Sequence, residues 1–410
     1  MKPIHPIPLL LIPALAATLT AAEVPTGKPE DVGMSSPRLQ RIHEAIQRHI
    51  DAGEISGAVT LVARRGHMVH FEAHGLMDIE SKRPMQTDAI FRIASMSKPI
   101  TGVAVMMMIE EGKLRLNDPV SKFLPEFKDP KVAVARGNAG GSYLVPADRE
   151  LTIRDLLTHT NGLMTGGIGS KSGPPRPVAG DTLASYVPRL GAAPLDFQPG
   201  SQWAYSGLAG PDTLSRIVEI VSGQPYDEFP RTRLFEPLGM KDTFFYPPDD
   251  RRPRLVTLYS KSPNGLVKAE NQDGFSLKTY FSGGGGLMST AGDYLQFAQM
   301  LLNGGESNGR RFLSPRTVDL MASNHVGDMF NGKLGRPAHG MGYGLLVGIV
   351  EDSVAAGLRV SNGSFGWDGA FGTQTWIDPK EKMVTIVMIQ TQVTPVQRDF
   401  ENAVMQAIVE

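Results

Sequence analysis

The sequence contains no cysteine. That excludes disulfide staples, thiolate metal sites, a cysteine nucleophile and lipid attachment at an N-terminal cysteine. A chain of 410 residues can do without staples, because it is long enough to bury a substantial core. Net charge is almost absent as well: 41 Lys and Arg face 42 Asp and Glu, leaving −1. With no Lys/Arg-rich stripe, a nucleic-acid partner is not expected. After residue 22, no run approaches the roughly 18 apolar residues that a membrane-spanning helix needs. The four glycines at 283–286 lack the Gly-Lys-Ser/Thr that would make them a phosphate loop. No α/β-hydrolase nucleophile elbow is expected.

What is present is ordinary globular composition, 41% hydrophobic and 20% charged. Residues 1–22 read as an export signal. Lys2 supplies a positive start, 7–19 is apolar, and Thr20-Ala21-Ala22 offers small residues for cleavage before Glu23. Pro8, Pro13 and the shortness of the run weigh against a retained membrane anchor. The expected mature protein is 23–410, periplasmic or secreted, without stable membrane insertion. Loss of Lys2 leaves 40 basic against 42 acidic residues, about −2.

Strand patterns gather at the two ends of the chain and helical patterns fill the middle. Leu39, Ile42, Ile46 and Ile50 give 36–52 a helical period. Strands at 57–62 and 67–74 flank Arg64-Arg65-Gly66 as a hairpin. A helix is expected to carry Ser95 and run to Gly112, with shorter helices at 118–123 and 153–157, the latter capped by Thr152. Further helices fall at 212–222 and 291–302, and 165–177 is a Gly/Pro/Ser loop. Strands are expected at 344–349 and 358–361, and 371–377 with 383–390 should form a hairpin across Asp378-Pro379-Lys380-Glu381. Thr394-Pro395 opens a last helix with Phe400, Val404 and Ile408 inward. The fold class is α+β: an antiparallel sheet from both termini (about 36–92 and 340–410), flanked by helices, with a mainly helical lobe (about 93–335) inserted.

The chemistry centres on Ser95-Met96-Ser97-Lys98. On a helix, positions i and i+3 share a face, so the Lys98 amine can sit beside the Ser95 hydroxyl. Serine is a weak nucleophile until a nearby base takes its proton. Tyr205-Ser206-Gly207, in a loop ahead of 212–222, offers a phenol that could relay a proton. Gly366-Trp367-Asp368-Gly369-Ala370-Phe371 has the glycines that let another backbone approach closely, and such a strand can present an N–H to an oxyanion. Nine histidines are scattered. Of the strand trio, His70 and His74 share one face and His67 takes the other, so they read as solvated strand positions rather than a metal cluster. His159 reads as structural.

These segments, with Leu156-Leu157-Thr158-His159-Thr160-Asn161-Gly162-Leu163, Pro237-Leu238-Gly239-Met240 and Gly284-Gly285-Gly286-Leu287, resemble the serine β-lactamase-like superfamily over about 30–408. The similarity is to its class C-like branch, and nearest to family VIII carboxylesterases. The resemblance implies Ser95 as nucleophile, Lys98 as its activating partner and Tyr205 as proton relay. It also implies an oxyanion hole from the Ser95 and Ala370 N–H groups, and substrate contact at Trp367, Asp368, Gly369 and Gly207. Gly207 stands where lactamases and peptidases of the branch carry Asn, and Trp367 where they carry a Lys or His cation. Both departures point to neutral esters. The expected function is an exported serine hydrolase of small carboxylic esters, with no metal or other cofactor. Which of Lys98 and Tyr205 is the base stays open, as does oligomeric state. The alternatives are a β-lactamase or D-amino-acid peptidase, and a non-catalytic binding member of the fold.

Overall fold

A computed structural model describes residues 23–137 and 141–410. The expected export signal, 1–22, lies outside the described residues. The principal helices are α1 (Ser36–Asp51), α2 (Ser97–Glu110), α3 (Ile153–Thr158), α4 (Leu183–Gly191), α5 (Ala209–Ser222), α6 (Ala291–Leu302) and α7 (Thr394–Met405). One eight-stranded sheet is built from β1 (Gly57–Arg64), β2 (His67–Asp78), β3 (Arg83–Pro84), β4 (Met341–Tyr343), β5 (Gly348–Val350), β6 (Phe365–Asp368), β7 (Gln374–Asp378) and β8 (Met383–Met388). Its order is β4-β5-β6-β7-β8-β1-β2-β3, antiparallel throughout. The two ends of the chain meet where β1 pairs with β8, Leu61 opposite Ile386. Among the described residues no helix is long and apolar enough to cross a membrane.

The sheet is covered on both sides. Val59, Leu61 and Ala63 face the helical lobe, with Ile386 and Met388 in the same core. Ala58, Val62 and Val387 face away, under Leu39, Ile42 and Ile46 of α1 and Val396, Phe400 and Val404 of α7. Each such aliphatic side chain contributes roughly 1.5–3 kcal/mol by burial. Arg64 clamps this outer layer. Its guanidinium is buried, pairs with Glu381 at 2.6 Å and donates to the carbonyls of Val32, Gly33 and Glu410.

α2 is the axis of the helical lobe. Every residue from Ser97 to Met108 is buried, as expected of a helix apolar on all sides. It starts two residues later than expected, since Ser95 lies in a 3-10 turn, Ala94–Met96, ahead of the helix proper. The 118–123 helix is only a 3-10 turn, Val120–Lys122.

The C-terminal strands are shorter and differently placed than the apolar runs suggest. The 344–349 segment breaks at Leu346, which takes a φ of 64°, and yields β4 and β5 on either side. Residues 358–361 form no strand: a short helix, Ser353–Ala356, precedes them and their pairing role passes to β6. His70 and His74 are half-buried and buried beneath α1 instead of solvated.

Candidate active site

Three elements converge on one oxygen. Ser95 Oγ, half-buried at the head of α2, lies 3.0 Å from Lys98 Nζ and 2.9 Å from Tyr205 Oη. The residue before it, Ala94, takes a φ of 45°. A non-glycine residue holds such a conformation at a cost of about 1–3 kcal/mol, and does so where the surroundings over-determine it.

Lys98 is completely buried, yet it is well supplied with acceptors. Its ammonium donates to Gly284 O at 2.6 Å as well as to Ser95, and lies 4.8 Å from the centre of the Tyr205 ring. The glycine run explains that carbonyl. A Cβ on Gly284 would sit 2.9 Å from Leu208 Cα and 3.0 Å from Gly207 O, so only glycine fits between the site loops. The Gly284 N–H is in turn held by buried Asp212 at 2.9 Å, whose carboxylate also accepts from Ser282 and Tyr280. Burial pushes the Asp212 carboxyl above its ordinary value, while those three bonds and the Lys98 cation oppose that shift. Asp212 was read from sequence only as the start of a helix. Nothing local marks it, because its partners are 68 to 72 residues away.

The Tyr205 loop is braced from behind by the Leu-Leu-Thr-His-Thr-Asn-Gly segment. Thr152 and Asp155 form a reciprocal cap on α3, and His159 ends it with a φ of 57°. The His159 carbonyl accepts from Ala204 N, and Ser206 Oγ donates to Leu163 O. The His159 ring is fully buried, its centre 4.7 Å from that of Tyr205 and 5.4 Å from that of Tyr343. Burial, helped by the Lys98 cation, holds this imidazole well below its ordinary value, hence neutral. His159 therefore packs behind the site as read, but as part of an aromatic shell with Trp203, Tyr343 and Phe330.

Trp367 belongs to that shell. The ring is only 3% exposed, which leaves little of it to wall a ligand. Its indole N–H donates to Tyr205 Oη at 3.3 Å. Asp368 is engaged as well: one oxygen accepts from Gln374 at 3.0 Å and the other pairs with Arg336. Gly369 allows the end of β6 to touch the nucleophile turn, since a Cβ there would meet Ile93 O at 2.4 Å. Thr373 Oγ1 binds the same carbonyl at 3.2 Å. Ala370 follows, exposed, in a turn closed by Gly372 N on Gly369 O. At Gly207 no positive φ demands glycine, and a Cβ would touch only the Tyr205 ring at 3.5 Å. The 165–177 loop is pinned rather than free: Asp196 accepts from Thr165 and Ser170 through both backbone and hydroxyl groups.

A Gly-x-Ser-x-Gly pattern does occur, at Gly305-Glu306-Ser307-Asn308-Gly309, and the sequence reading passed over it. It forms the tip of a small hairpin in which Ser307 pairs with Arg310. That is not the strand-to-helix turn of an elbow, so the expectation of none stands on geometry.

The arrangement can activate a serine by two flanking proton carriers and hold negative charge nearby. Comparison with known proteins places the chain in a family. The family Beta-lactamase matches residues 42–410. A protein of Mycobacterium tuberculosis (strain ATCC 25618 / H37Rv) is 37% identical over 360 residues, 84% of this chain and 88% of that one. Esterase EstB of Burkholderia gladioli is 31% identical over 401 residues, 91% and 95% of the two chains. Among solved structures, EstCE1, described as a hydrolase with promiscuous acyltransferase activity, superposes with a TM-score of 0.75 at 29% identity, over 90% of this chain and 99% of that one. The chain belongs to the beta-lactamase family. Named relatives within it include esterases, and the protein is a serine hydrolase of carboxylesterase type.

Proposed function

We propose that the protein hydrolyses small, neutral carboxylic esters through an acyl-enzyme on Ser95. The observation that carries this reading is the convergence of Lys98 Nζ and Tyr205 Oη on Ser95 Oγ at 3.0 and 2.9 Å. Tyr205 acts as base, since its oxygen receives the Trp367 indole N–H, which stabilises it whenever it carries negative charge. Lys98 remains a donor, held by Gly284 O. With Tyr205 present as its phenolate, Ser95 Oγ bonds to the ester carbonyl carbon as the Ser95 proton passes to the Tyr205 oxygen and the carbonyl π pair moves onto oxygen. The carbonyl oxygen becomes an oxyanion between the Ser95 and Ala370 N–H groups. Collapse releases the alcohol, which takes the proton from Tyr205, and water then cleaves the acyl group by the same steps in reverse.

Neutral substrates follow from what flanks the site. The position where lactamases hold a cation carries buried Trp367. Arg336, whose guanidinium lies 5.6 Å from that ring, is already paired with Asp368. A free charge-assisted bond to a substrate carboxylate would be worth about 1.5–3 kcal/mol. Gly207 offers no side-chain amide for an acyl-side peptide group, and leaves room instead. We further propose that 1–22 directs export and that the mature enzyme works in the periplasm or outside the cell.

The test is turnover of p-nitrophenyl acetate and butyrate, a chromogenic cephalosporin and a D-alanyl-D-alanine peptide by wild type and Ser95→Ala. Ester turnover that vanishes in Ser95→Ala, with slow or no cephalosporin opening, is the expected result. Rapid cephalosporin or peptide cleavage without ester turnover contradicts it, and silence on all substrates by a folded protein points to a binding role.

A further inference from the structure

We propose that His43, Glu72 and His74 form a binding site for one divalent transition-metal cation, zinc in the first instance, which ties α1 to β2 on the sheet face turned away from Ser95. His74, Glu72 and His70 lie opposite Ala58, Thr60 and Val62 of β1, and paired residues share a face. Ala58 and Val62 belong to the core under α1 and α7, whereas Val59 and Leu61 pack toward the catalytic lobe. His43 comes down from α1 onto the same spot. Its Nδ1 is 2.7 Å from Glu72 Oε1, and His74 Nδ1 is 3.7 Å from that same oxygen. The two imidazole rings are 5.4 Å apart.

His74 supplies the second, independent observation. Its side chain is fully buried, and Nδ1 finds no hydrogen-bond partner among the described residues. The other nitrogen, Nε2, lies 2.8 Å from Thr60 Oγ1, which is also 2.7 Å from His70 Nε2. A hydroxyl has one proton to give and can accept two, so at least one of these imidazoles donates to Thr60. If His74 donates, its Nδ1 is a bare lone pair aimed at a carboxylate. If His74 accepts, its Nδ1–H points at Glu72 across a gap too long for a hydrogen bond. A cation between the three groups resolves the first arrangement. A ligating imidazole that donates its far N–H to a fixed neighbour is the usual outer support of a metal site.

The dimensions suit zinc. Tetrahedral ligands at about 2.0–2.1 Å from the ion lie roughly 3.4 Å from one another, and 2.7 and 3.7 Å bracket that spacing. Two imidazoles with one carboxylate favour zinc, nickel or copper over magnesium or calcium. The His43 and Glu72 side chains are 48% and 36% exposed, so an ion can enter and a water can complete its shell. Sequence could not reveal this trio. The expectation that His67 takes the opposite face fails, because a bulge at Val62/Ala63 sets it opposite Arg64 on the same face, but at the far end of β2 from the trio; His43 is brought in only by packing of α1.

The experiment is isothermal titration of untagged, EDTA-treated, full-length protein with zinc chloride, alongside thermal melting with and without the ion, for wild type, His43→Ala and Glu72→Gln. Both substitutions are at partly exposed positions and leave the core intact. The expected result is one zinc per chain with a micromolar or tighter dissociation constant. The melting midpoint should rise by about 3 °C at a hundredfold excess over that constant. Affinity should fall at least tenfold in each variant, with ester turnover unchanged in all three proteins. No saturable binding, or binding that survives unchanged in His43→Ala, overturns the proposal. An equal stabilisation by magnesium chloride overturns the assigned class of ion.

Discussion

The two faces of the large sheet make an instructive pair. Toward the helical lobe, polar groups are arranged around a single atom. Ser95 Oγ lies within 3.0 Å of both Lys98 Nζ and Tyr205 Oη, Lys98 is held by Gly284, Gly284 by Asp212, and Tyr205 is backed by His159 and Trp367. Toward α1 and α7 the contacts are mainly aliphatic, with the histidine–glutamate cluster at their margin. Each face holds a buried histidine that burial keeps neutral, and their surroundings separate them. His159 is enclosed by aromatic rings, whereas His74 faces a carboxylate that opens to solvent. On the function proposed, the first face carries the reaction and the second contributes packing alone, so damage to the second should leave the first measurable.

The largest expected effect is on the first face. Ser95→Ala and Lys98→Ala should each lower kcat/KM for p-nitrophenyl butyrate by about a thousandfold or more. Circular-dichroism melting of Ser95→Ala should stay within about 2 °C of wild type, since only one partly exposed hydroxyl is removed. A variant that loses turnover by unfolding would break the separation.

Gly284→Ala should come next. The added methyl group meets Leu208 and Gly207 backbone and displaces the carbonyl that holds Lys98. Overpacking of this kind costs about 1–3 kcal/mol of stability, and misplacing the amine should cost roughly tenfold to a hundredfold in kcat with little change in KM. Steady-state kinetics and urea melts on the same preparation read both effects. A larger loss in KM than in kcat would mean that Gly284 shapes substrate binding instead.

The second face should show itself in acid. Burial lowers His70 and His74 to about 4, with His43 and Glu72 the charged neighbours. The folded state thus resists protonation that the unfolded chain accepts near 6.5. The stability these groups contribute is present above pH 6.5 and drains as pH falls toward 4, by up to about 3 kcal/mol for each histidine. Urea unfolding of metal-free protein across that window should steepen accordingly, and less so in His70→Gln. A flat profile would remove the two histidines from the stability of this face.

The smallest change probes specificity. Gly207→Asn fits beside the Tyr205 ring, so ester turnover should stay within about fivefold of wild type while slow cephalosporin opening appears. Loss of both activities would place Gly207 in the catalytic geometry itself.

How much of this was legible in the sequence depended on the range of the interactions involved. Periodicity located α1, α6 and α7 to within a residue or two, because an amphipathic helix writes its buried stripe locally. β1 and β8 are buried along their whole length, so alternation could not set their ends. The β4 and β5 region was misplaced because a left-handed Leu346 breaks an otherwise strand-like run. Ser95 and Lys98 could be paired because they are three residues apart. Tyr205 and Trp367 were singled out by motif, yet the bond between them is not a property of either segment. Asp212 carried no local signal at all.

The central claim is that Ser95 Oγ becomes covalently acylated. The direct measurement is peptide mass mapping of wild type and Ser95→Ala after acid quenching during exposure to p-nitrophenyl butyrate. The account predicts a butyryl group on the peptide that carries Ser95, and none in Ser95→Ala. Rapid ester turnover with no acyl group on that peptide, or an acyl group on Ser307 or another residue instead, would contradict it.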